Sequence, residues 1–180
     1  MMVSRAHAHE ARLILMRTSG LLLSVLLLSA AGCSFGSRNS RDDAAATLAA
    51  VRTAHDGYVQ SINANKVDVW LGSLTDEVVY FVPNQPAIVG KEAVAAWATR
   101  YLQEVTTHWT KPVQEFQISG DWAFGRYVYT ASDSVVIRDP ETDGGGTSND
   151  SGWGLVVYHH ERDGRWRVAR DAWGSDRPAR

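Results

Sequence analysis

At 180 residues the chain has room for one domain plus a leader, and its 44% apolar content is that of a globular protein. The formal net charge is −2, and no block of single-sign charge runs through the sequence. That balance argues against a nucleic-acid partner, which selects a basic face, and against electrostatic docking on an anionic membrane.

The N-terminal stretch, residues 1–32, reads as a targeting segment and not as part of the fold. Arg17 precedes an apolar run from Leu21 to Leu28, followed by the small residues Ser29, Ala30, Ala31 and Gly32. A spanning helix needs about 20 apolar residues, and this run is well short of that. Met1 to Leu15 carries Glu10, His7 and His9, whereas Met16-Arg17 directly before the apolar run makes a tidier start, so the true initiator is expected at Met16. The segment Leu28-Ser-Ala-Ala-Gly-Cys33 resembles the signal of bacterial lipoproteins, although Ala30 stands where such signals more often carry Leu. The resemblance implies cleavage before Cys33, a diacylglyceryl thioether on its sulfur, and N-acylation. The protein would then be exported and lipid-anchored in the bacterial cell envelope. Each buried methylene contributes about 0.8 kcal/mol, so two or three acyl chains anchor firmly without basic residues. Cys33 is the only cysteine, so no intramolecular disulfide can form and the domain must hold together by its core.

Residues 33–41 read as the lipidated cysteine and a flexible tether, residues 42–176 as the domain, and residues 177–180 as a tail. Asp42 or Asp43 is placed to cap a helix. Leu48, Val51, His55, Tyr58, Val59 and Ile62 then recur on one helical face, up to the break Asn63-Ala64-Asn65. Val67, Trp70, Leu71 and Leu74 predict a second, short helix. Val78 to Val82 reads as a strand stopped by Pro83. Gly90 introduces a third helix from Lys91 to about Val105. Trp109 to Ser119 and Trp122 to Ser134 read as strands joined at Gly120-Asp121, with Pro112 marking an edge or a bulge. The composition of Asp139 to Gly152 predicts a long mobile loop. Trp153 to Glu161 and Arg165 to Trp173 form a hairpin across Asp163-Gly164. The predicted fold class is α+β: a curved antiparallel sheet forming a cone around a long N-terminal helix, with two further helices.

Several motifs resemble SnoaL-like domains of the nuclear-transport-factor-two superfamily. They are Tyr58 to Asn65 with the polar break before Trp70, Ile88-Val-Gly90-Lys-Glu-Ala93-Val94, and the closing Asp163-Gly164-Arg165-Trp166 through Asp171-Ala-Trp173-Gly-Ser-Asp176. The resemblance covers Asp43 to Asp176. It implies a cone with a pocket at its wide end and a homodimer through the sheet, but no single activity, because the superfamily holds isomerases, cyclases, dehydratases and binding modules. Ketosteroid isomerase chemistry requires a carboxylate base near the end of the first strand and a second, protonated acid. Here the first strand ends Tyr80-Phe81-Val82-Pro83, and Trp153 to His160 contains no Asp or Glu. That catalytic set is therefore not expected.

The candidate catalytic residues are Tyr58, His55 and Asp171. His55 is also readable as a satisfied core histidine, and Asp171 as a salt-bridge partner. Trp70, Tyr80, Trp97, Tyr127, Tyr129 and Trp173 are the candidate ligand-binding residues, or else plain core. Tyr58, Trp70, Tyr80, Trp97, Tyr129 and Asp171 are expected to converge on one cavity; if they do not line a common cavity, or if the interior is packed solid, the binding and enzyme readings both fail and the interaction-module reading gains. His159 and His160 are strand neighbours that point to opposite faces, so neither a metal site nor any other cofactor is expected. Three functions stay open: a module binding a small apolar or aromatic molecule, an acid/base enzyme of isomerase, cyclase or dehydratase type, and a protein-interaction accessory domain.

Overall fold

The computed structural model describes residues 33–136 and 145–177. The leader, residues 1–32, lies outside the described residues, as does the first part of the expected mobile loop. Helix α1 runs Cys33–Asn63, α2 Val67–Leu71 and α3 Lys91–Glu104. The strands are β1 Leu74–Phe81, β2 Ile88–Val89, β3 Val105–Thr110, β4 Val113–Ser119, β5 Trp122–Val135, β6 Thr147–His160 and β7 Trp166–Ser175. They form one curved sheet in the order β2-β1-β7-β6-β5-β3, with β4 also pairing β5. The sheet is mixed and not wholly antiparallel as expected: β1 runs parallel to β7. A parallel neighbour needs a long crossover, and here all the intervening elements supply it.

Three local expectations are corrected. Residues 34–41, read as a tether, are helical turns of α1; once a helix is nucleated, each added residue gains a hydrogen bond at little cost. No cap is then needed at Asp42 or Asp43. Leu74 belongs to β1 and not to the second helix. Residues 147–152 are strand and not loop: Thr147 pairs Ser134 and Gly152 pairs Tyr129. Their Gly, Ser and Asn content masked a strand whose hydrogen bonds are supplied by the long partner β5.

A compact unit starts at Thr47. Within it α1 buries Val51, His55, Tyr58, Ser61 and Ile62, the 3–4 spacing of one helical face. The helix stops where Asn65 turns left-handed, with φ 53°, a conformation asparagine tolerates. The two asparagines at this stop have a second task. Asn63 donates through Nδ2 to the Trp109 carbonyl at 2.8 Å and accepts from the Trp109 N–H at 2.7 Å. Asn65 does the same for Thr107, at 3.0 and 2.7 Å. Their side-chain amides therefore stand beside β3 as a strand would.

The concave face of β5 carries Ala123, Gly125, Tyr127, Tyr129 and Ala131 in strict alternation. Opposite Tyr127 and Tyr129 on β6 stand Gly154 and Gly152. A Cβ on Gly154 would run into the Tyr127 ring and the Ala172 carbonyl, and one on Gly152 into the Gly174 carbonyl and the Tyr129 ring. Each tyrosine lies over the glycine across from it, which is why a strand interior tolerates glycine here. Against Val157 and Tyr158 of β6 the register of β7 slips, passing from Arg170 to Val168 over Ala169, a bulge that lets Val168 and Asp171, three residues apart, both be buried. The outer sheet face is apolar and exposed at Trp122, Phe124, Val128, Trp153 and Leu155.

Candidate functional site: a caged ion pair beneath an aromatic cleft

The long segment expected as one strand from Trp109 to Ser119 breaks at Lys111-Pro112, between β3 and β4. Proline cannot donate to the ladder, and the break turns Lys111 into the interior. Its side chain is 3% exposed and its Nζ lies 2.8 Å from Oδ2 of Asp171, whose side chain is 0% exposed. Asp171 also accepts hydrogen bonds from the Tyr58 hydroxyl at Oδ2 and the Tyr127 hydroxyl at Oδ1, both at 2.7 Å. Four rings surround the ammonium: Tyr58, Trp109, Tyr127 and Trp173, with centroids 4.8, 4.9, 4.9 and 5.5 Å from Nζ. The ring faces give the N–H groups that Asp171 does not use an attractive surface in place of water.

The network extends from this pair through neutral groups. The Tyr58 and Tyr80 hydroxyls are 2.9 Å apart, and the Trp70 indole N–H donates to the Tyr80 oxygen at 3.0 Å. Burial pushes the Tyr58, Tyr80, Tyr127 and Tyr158 hydroxyls well above their ordinary pKa, and the nearby Asp171 carboxylate adds to it. These tyrosines therefore act as hydrogen-bond donors over the whole neutral range. His55 is 3% exposed. Its Nε2 lies 2.6 Å from the Lys111 carbonyl, which can only accept, so Nε2 carries the proton and Nδ1 accepts from the Tyr158 hydroxyl at 2.8 Å. Burial lowers the His55 pKa, outweighing the upward pull of the carbonyl. His55 is thus a fully partnered neutral ring that holds the Lys111 backbone in place.

The open space lies next to this network, between α3 and the concave face. A cleft of about 430 Å³ is lined by Trp97 and Tyr101 of α3, Trp109, Trp173, Val82 and Gln85, with Arg100, Glu104, Asp133 and Asp150 among its polar residues. The structure brings the sequence-predicted residues together, but not around one cavity. Of Tyr58, Trp70, Tyr80, Trp97, Tyr129 and Asp171, only Trp97 lines the cleft. Trp70, Tyr80, Trp97 and Trp173 instead pack ring on ring, with centroids 5.8 Å apart for Trp70–Trp97 and for Tyr80–Trp173. Tyr127 is spent on Asp171. Tyr129 leans on Trp109 at 5.0 Å and donates to Asp150 at 2.8 Å. The expected common cavity fails because tyrosine hydroxyls and a lysine fill the space beneath Trp109 and Trp173. Reasoning from sequence missed Lys111, Trp109, Tyr101, Asp133 and Asp150; the available signal was Lys111-Pro112 interrupting a strand otherwise bound for the core.

Among the described residues no three His, Cys, Asp or Glu side chains gather to hold a metal ion. His159 is paired with Glu161 at 2.8 Å, and His160 stacks on Trp166 at 4.9 Å.

Two measurements check this geometry. Lys111→Met leaves Asp171 buried without its countercharge and is expected to cost about 3–5 kcal/mol. Adding Asp171→Asn to that variant should restore most of the loss in urea denaturation, since only the unpaired charge is expensive; a double variant as weak as the single one would reject the ion-pair account. His55 has a folded pKa below its unfolded value of about 6.5. Between those two values the unfolded chain binds the extra proton, so stability is full above about pH 6.5 and falls as the pH drops through the folded pKa. His55→Gln should flatten that part of the urea-midpoint profile relative to the parent.

The SnoaL-like domain family matches residues 55–169. No curated protein matches. Among solved structures the chain is similar to a ketosteroid isomerase-like protein from Erwinia carotovora atroseptica, with 24% identity, 73% of this chain and 97% of that chain covered, and a TM-score of 0.61. It is similar to a conserved protein from Planctomyces limnophilus, with 22% identity, coverage of 72% and 98%, and a TM-score of 0.62. It is also similar to a hexachlorocyclohexane dehydrochlorinase (LinA) type 2, with 14% identity, coverage of 75% and 88%, and a TM-score of 0.62. At these identities the likeness is one of fold. The family match runs from the buried His55 of α1 to Ala169 of β7, well over half of the sequence, and the chain belongs to the SnoaL-like domain family.

Proposed function

We propose that this protein is a binding module of the bacterial envelope, anchored through lipid on Cys33, that takes a small, flat organic molecule into the cleft beneath α3. The expected common cavity of Tyr58, Trp70, Tyr80, Trp97, Tyr129 and Asp171 is not formed, which favours an interaction module, so the binding reading rests on a different site: four aromatic side chains, Trp97, Tyr101, Trp109 and Trp173, border one open cleft of about 430 Å³. That volume suits a small ligand, and aromatic walls with a few polar groups are the usual lining of such sites. Two fold neighbours, a ketosteroid isomerase-like protein and a hexachlorocyclohexane dehydrochlorinase, fit a scaffold that accepts compact organic molecules. The acid/base reading is weaker, because none of Tyr58, His55 and Asp171 lines the cleft and a general acid or base must reach its substrate. The exposed outer face at Trp122, Phe124, Val128, Trp153 and Leu155 supports a homodimer through the sheet, a reading that a monomer in sedimentation equilibrium would remove.

A panel of small aromatic compounds, followed by tryptophan fluorescence, tests the binding proposal. Trp97→Ala should weaken a quenching ligand about tenfold, roughly 1.4 kcal/mol. Tyr58→Phe should leave affinity within about a factor of two while lowering stability by roughly 1.5–3 kcal/mol, the worth of a hydrogen bond to a charged group. If Tyr58→Phe impairs binding as much as Trp97→Ala does, the site is the interior and not the cleft. For the anchor, labelled fatty acid should enter the parent protein but not Cys33→Ala; label retained in the variant would reject lipidation at that residue.

A further inference from the structure

We infer that the cleft is built for a small organic cation, an ammonium or guanidinium carrying apolar substituents; this rests on the binding-module reading and names its ligand class. Among the described residues, the polar side chains lining the cleft include three acids, Glu104, Asp133 and Asp150, against one cation, Arg100. Two of the acids are held in place from behind. Asp133 accepts from the Tyr101 hydroxyl at 2.7 Å and from Thr107. Asp150 accepts from the Tyr129 hydroxyl at 2.8 Å and the Ser175 hydroxyl at 2.6 Å. Burial works against the Asp150 carboxylate, but these hydroxyls and a backbone N–H outweigh it and hold its pKa below the usual range.

The two carboxylates belong to adjacent strands. Ala131 stands directly opposite Asp150, and Asp133 is two residues along from Ala131, so the two acids are diagonal neighbours on one face of the sheet. Among the described residues, Arg177 at 3.9 Å from Asp150 is the sole salt-bridge partner of the pair. A cation bound between them would be attracted by both carboxylates. The walls suit it as well as the acids do: Trp109 and Trp173 already hold one ammonium, that of Lys111, on their buried side, and ring faces attract cations that shed water readily. A bare divalent ion fits poorly, since it requires six or more oxygen ligands and among the described residues no three acids gather closely enough to hold one. A neutral aromatic would leave the acids unanswered, and an anion would be repelled by them.

The test compares phenyltrimethylammonium with tert-butylbenzene, its uncharged carbon isostere, by tryptophan quenching of the full-length protein. The cation is expected to bind at least about tenfold more tightly than the isostere. Asp133→Asn and, as a second variant on the solvent side of the cleft, Glu104→Gln should each weaken the cation by about threefold or more without changing the isostere, with circular dichroism confirming that both fold. Equal or tighter binding of tert-butylbenzene would overturn the cation inference and leave the binding module standing. Cation affinity unchanged in both folded variants would overturn it too, as would displacement of phenyltrimethylammonium by calcium. If neither probe binds, both the inference and the binding-module reading fall.

Discussion

The contact on which the rest of the interior depends is the 2.8 Å pair between Lys111 and Asp171. Taking two charges out of water is expensive, and their attraction repays that cost only when every remaining donor and lone pair is occupied. Here the occupants are tyrosine hydroxyls and ring faces drawn from α1, β3, β5 and β7. Each of those elements is thereby tied to one point. A core made only of aliphatic side chains can slide without much loss; a core centred on a buried charge cannot, because any shift leaves the charge unanswered.

The same arrangement sets the boundary of the functional space. Trp109 and Trp173 have Lys111 on one side and the cleft on the other. They separate a sealed polar interior from an open aromatic recess. Titratable groups that would suggest acid/base chemistry from sequence alone, Tyr58, His55 and Asp171, fall on the sealed side. The open side carries a different polar set, Arg100, Glu104, Asp133 and Asp150, beside its aromatic walls. The chemistry of this protein is therefore read from its cleft walls and not from its most perturbed side chains.

Much of the architecture was legible in the sequence. The 3–4 recurrence of Val51, His55, Tyr58 and Ile62 has one physical reading, and the Asp163-Gly164 turn fixes the last hairpin. The site was less legible, for three local reasons. A lysine defaults to solvent, so nothing in Thr110-Lys111-Pro112 pointed inward until a break in the strand was allowed for. The bulge on β7 shifts the phase of alternation, so which of Arg170 and Asp171 faced the core was open. The strand at Thr147 to Gly152 is assigned by its partner β5 and not by its own composition, which is why the position of Asp150 beside the cleft was out of reach.

The asparagine pair at the end of α1 has a consequence for the molecule's life in a crowded compartment. A terminal strand exposes a row of N–H and C=O groups that another chain can adopt as a template. On β3 the outward-facing groups of Thr107 and Trp109 are already satisfied by Asn65 and Asn63. Two side chains close this rim of the sheet against accretion by a stray strand. The stop signal of a helix thus doubles as cover for the β3 rim, and Asn65, left-handed as glycine could be, could change to glycine with the helix still ending and the cover over Thr107 gone.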